Sequence, residues 1–500
     1  MRKVVVVGLD GLDWLVVSSL MDRMPVASSL ASKGWAGEIE AIFPPDSIPS
    51  WISIFTGLDP SMHGILESVD YFKKGAKQFS VDTGAFKGRT FWDAASNAGK
   101  KVIVVNPLLA FPPWEVDGVM ASGPVFISGS TTVAPEGAAG GLEVPPLGGI
   151  VDFPEKKELA AFCEKTKTET LAITEFTARL METKEWDLTF LTLLTTDRIF
   201  HFFWRFFDRE DPTWPGEGEF SDVIPDFHEL IDRCVGRLVE AAGDDAIFLL
   251  ISDHGHAMRP PLLFNLNQLL LDAGFLESRI KGPRLFSPRY LLDRTKNAVL
   301  ETLHRLDLED LAYRFAHIFP WTRKLKKSDF MTEPTANLAT ASSFGGTNPF
   351  GGVEISQERC RTDSLDYEEV RSRIIDLLLD TKDDDGVPYF LWAKRREEVY
   401  KGEYIERYPD ILYELRPEFG TSWSVHLPLV TINPRHRKIS GGHRKNSVFI
   451  AGPLDDMSIR EENLLSLNLY DTILSLLGID GENTALRSII TDDRSSRPSP

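Results

Sequence analysis

Two short stretches, about 240 residues apart, end in side chains that bind metals. The first is Val4-Val5-Val6-Val7-Gly8-Leu9-Asp10-Gly11, and the second is Phe248-Leu249-Leu250-Ile251-Ser252-Asp253-His254-Gly255. Each is an apolar run that stops at an acid or an imidazole and then a glycine. An apolar run bounded by turn residues reads as a buried parallel strand. In open α/β sheets, sites form outside the carboxyl ends of the strands. Asp10, Asp253 and His254 are therefore expected at one sheet edge, where oxygen and imidazole donors suit a divalent metal.

Three further segments carry residues of the right type. Pro44-Pro45-Asp46-Ser47-Ile48-Pro49-Ser50-Trp51 places Ser47 just ahead of a helix with Pro49 in its first turn. Free N–H groups there favour a phosphate and an ionised hydroxyl, so Ser47 is a candidate nucleophile once a metal activates it. The competing reading is that Ser47 or Ser50 is an N-cap. Thr195-Thr196-Asp197-Arg198-Ile199-Phe200-His201 ends another strand in an acid, with His201 four residues on. At that spacing on a helix both side chains face one way and can share a metal. The alternative is an Asp cap beside a core histidine among Phe200, Phe202, Phe203 and Trp204. His443, in Ser440-Gly441-Gly442-His443-Arg444, competes with His436, His63 and His256, and for each a hydrogen-bonded structural role is the alternative.

The elements that would position these residues alternate strand and helix through residue 260. Strands are expected at Val4–Leu9, Lys101–Val105, Asp187–Leu194 and Ala246–Ile251, and helices at Pro49–Thr56, Thr90–Ala98, Thr168–Thr183 and Phe227–Ala242. The pattern predicts an α/β fold: a mostly parallel central sheet with helices on both faces. Residues 1–260 and 405–485 form the expected core. Residues 261–404 read as an inserted cap region with helices at Leu262–Gly274 and Tyr367–Leu379, and 486–500 as a flexible tail. Later strands at Ile411–Leu415 and Val448–Ala451 and a helix at Leu467–Leu477 close the core.

Composition excludes several classes. Five hundred residues exceed the usual single-core limit. A net charge of -19 argues against binding a nucleic acid duplex, which needs a basic face. Three unclustered cysteines offer neither a disulfide framework nor a metal knuckle, so a cytoplasmic location is expected. No apolar run reaches transmembrane length, and Asp10 and Asp13 interrupt the only leader-like segment. Residues 313–327 interleave basic and aromatic side chains. A peripheral membrane contact is one reading; a snorkelling surface helix is favoured, because Pro320 breaks any long amphipathic helix.

In order and content, the motifs resemble those of the alkaline phosphatase superfamily, in its type I phosphodiesterase/nucleotide pyrophosphatase branch, especially prokaryotic phosphohydrolase/phosphomutase-like members. The matching strings are VVVGLDG at 5–11, PPDSIPSWISIFTGLDPSMHGI at 44–65, TDRIFHFFW at 196–204, SDHG at 252–255, GGHR at 441–444 and YDTILSLLG at 470–478. The resemblance implies an alkaline phosphatase-like fold and two divalent metal sites. Asp10, Ser47, Asp253 and His254 match one site; Asp197, His201 and His443 match the other. His443 is preferred to His436 because the family pattern has Gly before His-Arg, then a strand ending in Gly-Pro. His63 and His256 match no ligand position and keep their structural reading.

By resemblance the cofactors are two zinc ions, and a donor set without thiolate is compatible with manganese as well. Ser47 would attack phosphorus and form a phosphoseryl intermediate, with backbone N–H groups of Ile48, Ser50 and Trp51 as donors to the equatorial oxygens. The expected function is hydrolysis of phosphodiester or pyrophosphate-type bonds in a small-molecule substrate. The alternatives are a phosphotransferase or phosphomutase of the same superfamily, or a binding protein with a decayed site. Relatives often have Thr at the position of Ser47. Nucleotide pyrophosphatases usually carry an Asn soon after the HGI turn, where this chain has Leu66-Glu67-Ser68, so a nucleotide substrate is not implied. Trp51 stands where sulfatases need Arg.

Overall fold

A computed structural model describes residues 2–66, 83–125, 129–148, 153–277, 299, 302–303, 337–342, 347–455, 457–460, 464–479 and 488–492. The described chain divides into two compact units. The first comprises residues 1–207, 216–257 and 443–500; the second comprises 208–215 and 258–442.

The first unit is built on an eight-stranded sheet. Its strands are β1 (Lys3–Leu9), β2 (Trp35–Glu40), β3 (Val102–Val105), β4 (Gly118–Ser122), β5 (Thr132–Ala134), β6 (Leu188–Leu193), β7 (Ala246–Ile251) and β8 (Asn446–Gly452). Their order across the sheet is β2-β8-β7-β1-β6-β3-β4-β5. The five strands from β7 to β4 are parallel. β8 runs antiparallel to both neighbours, and β5 is antiparallel to β4. The α/β expectation holds, with antiparallel strands towards both edges.

β1 lies at the centre because it is apolar on both faces. Val4, Val5, Val6 and Val7 are each 0% exposed. Val4 and Val6 belong to the core that includes Trp51, Phe55 and Trp92, while Val5 and Val7 point to the opposite, equally covered face. β-branched side chains suit such a strand because they pack well on a pleated surface.

The helices of this unit include α1 (Trp14–Leu20), α2 (Ser47–Thr56), α3 (Leu159–Thr183), α4 (Thr195–Phe207), α5 (Val223–Ala242) and α6 (Leu469–Leu476). α2 starts earlier than the sequence suggested. Asp46 is its N-cap, with Oδ1 accepting from Ile48 N at 3.2 Å, so Ser47 is the first helical residue and neither Ser47 nor Ser50 is the cap. Gly57 ends it at φ 66°, its N–H bonded to Ser53 O at 2.8 Å. α2 is anchored by aromatic contacts: Phe55 meets Trp92 edge-on with centroids 4.8 Å apart, and Trp92 stacks on Phe190 of β6 at 5.6 Å.

α3 is longer than the predicted Thr168–Thr183. Four buried threonines inside it return their hydroxyl protons to the backbone one turn earlier. Thr166 bonds Phe162 O, Thr170 bonds Thr166 O, Thr174 bonds Thr170 O and Thr177 bonds Ile173 O, at 2.8 to 2.9 Å. Each buried hydroxyl is thereby satisfied, which removes the usual objection to threonine in a helix.

The second unit holds a four-stranded sheet of Ala339–Ala341, Phe350–Ile355, Ile411–Leu415 and Phe390–Arg395, in that order. A three-stranded sheet is centred on Leu262–Asn265. The predicted helix at Leu262–Gly274 is therefore corrected: its first four residues are a strand, and the helix is Leu266–Asp272. Leu262-Leu263-Phe264 is a short apolar run, which periodicity alone does not assign to strand or helix. Residues 313–327 lie outside the described residues. Within 486–500, Ile490–Asp492 pairs antiparallel with Met457–Ile459.

Candidate metal centre

Asp10 follows the last residue of β1, and its backbone N–H donates to Leu193 O of β6 at 3.1 Å. The turn after it needs glycine. Gly11 has φ +70°, and a Cβ there would stand 2.8 Å from His256 Nδ1 and 3.2 Å from Asp197 Oδ1. Its N–H donates to Asp253 Oδ1 at 3.0 Å, which ties the exit of β1 to the exit of β7.

The sequence-predicted residues gather in two groups inside the first unit. Asp10, Asp253 and His254 form one, and all three are buried. Ser47 reaches into it from the start of α2, with Oγ 3.2 Å from Asp10 Oδ1 and 3.0 Å from His254 Nε2. His254 Nε2 also lies 3.4 Å from Asp253 Oδ2 and 3.7 Å from Asp10 Oδ1. The other ring nitrogen, Nδ1, donates to Gly255 O at 3.1 Å. A carbonyl only accepts, so Nδ1 holds the proton and Nε2 turns a lone pair towards Ser47 and the carboxylates.

Asp197, His201, His256 and His443 form the second group. Asp197 is in the first turn of α4, and His201 is one turn on, with Nε2 3.3 Å from Asp197 Oδ1. His443 Nε2 is 3.2 Å from His201 Nε2 and 3.5 Å from Asp197 Oδ1. Its Nδ1 donates to Pro45 O at 3.2 Å, so Nε2 again carries the lone pair. The groups adjoin: the rings of His254 and His443 stack with centroids 4.0 Å apart.

All seven predicted residues are brought together, and His256 joins them. Its Nε2 is 3.4 Å from His201 Nδ1 and its Nδ1 is 3.7 Å from Asp197 Oδ1. Its ring stacks on Phe200 of α4 at 5.1 Å. The sequence did hold a signal for it. Gly255–Met258 is a strand, and residues two apart on a strand share a face, so His256 follows His254. His63 belongs to neither group. Its Nδ1 accepts from Ile65 N at 3.1 Å and its Nε2 donates to Ser53 Oγ at 3.1 Å. His436 lies in the second unit, paired with Asp211 at 3.0 Å.

The suggested ring of backbone donors is corrected. Ile48 N already donates to Asp46 Oδ1 at 3.2 Å and Ser50 N to Asp46 O at 3.0 Å. Asp46 thus takes up two of the three N–H groups, those of Ile48 and Ser50, that were expected to face phosphate oxygens.

The donors fit divalent cations. Donor–donor separations of 3.2, 3.3 and 3.5 Å among Asp197, His201 and His443 match the ~3.3 Å expected between ligands about 2 Å from a tetrahedral centre. Asp253 Oδ2 is buried and accepts no hydrogen bond among the described residues. Burial, then the charges of Asp253 and Asp197, pushes the Asp10 carboxyl well above its ordinary range. Burial likewise pushes Asp253 up to about 8. Asp197 behaves oppositely: burial raises it, but His201 and its neighbouring imidazoles outweigh that and hold it well below the carboxylate range. Burial, then the neighbouring His443, keeps His254 neutral; burial and His201 do the same for His256. Without a cation, the oxygen-rich group must hold protons against its own repulsion, which is the signature of a site built for positive charge.

Comparison with known proteins agrees in kind. Residues 4–422 match the family described as type I phosphodiesterase / nucleotide pyrophosphatase. Among solved structures, the chain is similar to a phosphonoacetate hydrolase from Sinorhizobium meliloti 1021 in complex with phosphonoacetate. That match has 16% identity and a TM-score of 0.48, and it covers 94% of each chain. The chain is also similar to human ectonucleotide pyrophosphatase / phosphodiesterase 5, with 13% identity, a TM-score of 0.49 and 97% of each chain covered. A search of curated proteins finds no match.

Proposed function

This chain belongs to the type I phosphodiesterase/nucleotide pyrophosphatase family, and on that premise we propose that it is a two-metal phosphoesterase using Ser47 as nucleophile. The observation that carries the reading is the position of Ser47 Oγ, 3.2 Å from Asp10 Oδ1 and 3.0 Å from His254 Nε2, at the first residue of a helix. Asp10, Ser47, Asp253 and His254 would hold one cation, and Asp197, His201 and His443 the other, with His256 beside them. Bound there, two divalent ions, zinc or manganese, would neutralise the carboxylates, make the serine hydroxyl acidic and offset charge on the phosphoryl oxygens.

The chain's own groups do the rest. Ser47 O–H donates to Asp10 Oδ1, which holds the hydroxyl in one orientation. The lone pair of His254 Nε2 faces the same oxygen. Asp46 caps α2, so the helix end holds Ser47 rigid instead of supplying N–H donors to the substrate. Ser47 Oγ bonds to phosphorus as the leaving alcohol departs, and water then cleaves the phosphoserine.

A small-molecule phosphodiester or pyrophosphate-type substrate fits a net charge of -19 better than a nucleic acid duplex does. Cys163, Cys234 and Cys360 are buried free thiols, which suits a cytoplasmic setting. Among the described residues, no helix is long and apolar enough to cross a membrane.

The test is Ser47→Ala with a paired substrate comparison. The variant should keep its fold and most of its metal while losing orders of magnitude in kcat. Acid quenching during turnover should leave phosphate on Ser47 of the wild type. A bis-aryl phosphodiester should exceed the matching monoester in kcat/KM. Near wild-type turnover in the variant would overturn the nucleophile assignment, a monoester preference would overturn the diesterase reading, and capture by added alcohol in place of water would make the protein a transferase.

A further inference from the structure

We propose that Asp13 and Arg444 form a positioning clip that sets the two ligand groups relative to each other, a role that rests on the two-metal reading. Asp13 is 0% exposed. Its Oδ1 caps α1, accepting from Leu15 N at 2.9 Å and Val16 N at 3.2 Å. The guanidinium of Arg444 grips the same carboxylate with two donors, Nε to Oδ2 and Nη2 to Oδ1. One buried carboxylate thus takes four hydrogen bonds from two distant segments.

The sequence positions give the pair its significance. Asp13 lies three residues beyond Asp10, on the turn that leaves β1. Arg444 is covalently next to His443. Gly255, between His254 and His256, packs against Asp13: a Cβ there would stand 2.4 Å from Asp13 Oδ2 and 2.4 Å from Asn446 O. The backbone of Asp13 also bridges to Ser447 at the start of β8. Three segments that carry members of both groups therefore meet at one carboxylate that belongs to neither group. A bidentate fork fixes direction as well as distance, and the ammonium of a lysine cannot reproduce that. The clip sets how far His443 stands from Asp10 and His254, and so the spacing of the two cations.

Helix capping alone would be a merely structural role, and two substitutions separate it from the clip. Asp13→Asn keeps a capping oxygen but loses the charge that grips Arg444. Arg444→Lys keeps the charge but loses the fork. Both variants should stay folded by circular dichroism. Each should lower kcat by about tenfold or more with KM little changed, since groups behind metal ligands typically matter 10–100-fold. One of the two metal equivalents should leave at about tenfold lower chelator concentration. The visible spectrum of cobalt-substituted protein should change in band shape, because ligand geometry has moved. Wild-type chelator profiles, cobalt spectra and kcat in both variants would overturn the clip. So would losses that merely track the unfolded fraction. Wild-type protein that retains no divalent metal would instead overturn the two-metal reading.

Discussion

At the scale of residues, the site is a contest between burial and charge. Asp10 and Asp253 are buried carboxylates that hold protons they would lose in the unfolded chain. Divalent metal has to displace those protons, so binding should release protons and tighten as pH rises towards about 8, the value to which Asp253 is pushed. Zinc titrations in two buffers of different ionisation heat would read the proton count, and pH-independent affinity between 6 and 8 would refute the expectation. The group containing Asp197 has its carboxylate already ionised and its donors mostly nitrogen. It should therefore hold zinc in preference to manganese, while the oxygen-rich group accepts either. Asp10, Asp253 and His254 were legible as candidate ligands because they follow apolar runs that end in glycine turns. His256 was set aside because it matches no ligand position of the family pattern, and it is the strand from Gly255 to Met258 that makes it a neighbour of His254.

Elements place those residues, and their boundaries were the least legible part. Asp197 and His201 face each other because a helix puts residues four apart on one side. α2 was misread at its start because three candidate caps, Asp46, Ser47 and Ser50, crowd together, and sequence alone does not rank their φ/ψ. Gly11 shows how closely one turn is fitted to the site. Gly11→Ala adds a methyl 2.8 Å from His256 Nδ1 at a positive φ, so we expect a folded protein with reduced metal content and at least tenfold lower kcat. Metal analysis beside circular dichroism would check it, and an unchanged metal content would count against the fit. Phe55 is the matching probe for α2. Phe55→Ala should cost about 3–5 kcal/mol of stability by emptying the contacts with Trp92 and Phe190, read as a fall in the denaturation midpoint at unchanged metal stoichiometry.

For the whole molecule, pH and metal act on stability through separable groups. His228 of α5 is buried, its Nδ1 donating to Ile224 O at 2.8 Å, and burial lowers its pKa to about 4; His63 is lowered by burial to about 3. Both are neutral when folded and charge when unfolded, so their contribution is present above 6.5 and is lost as pH falls towards those values. Asp253, raised to about 8, works the other way: its contribution is lost as pH rises from the unfolded value near 3.8 through about 8. Between pH 6.5 and 8 His228 and His63 change little, whereas Asp253 titrates. In chelator, Tm should therefore fall as pH rises across that window, and saturating zinc should abolish that fall. A flat or rising profile in chelator would refute the assignment. The α/β architecture was readable from the sequence because Val4–Val7 and Ala246–Ile251 are apolar on both faces. The direction of β8 was not, because an apolar strand carries no mark of whether its neighbours run with it or against it.

The order of strands also bears on how the protein is made. β8 lies between β2 and β7, yet it is residues 446–452 of the chain. Among the described residues, β2 pairs within the sheet with β8 alone, and β8 alone closes the flank of β7 away from β1. A ribosome must therefore pass residue 452 before the sheet can close. From the synthesis of β7 until then, the nascent molecule carries an open, hydrophobic edge at that strand. Holdase chaperones should bind the growing chain until the codons for 446–452 have passed, and a message stopped at residue 440 should yield insoluble product even though it encodes every other strand of the eight.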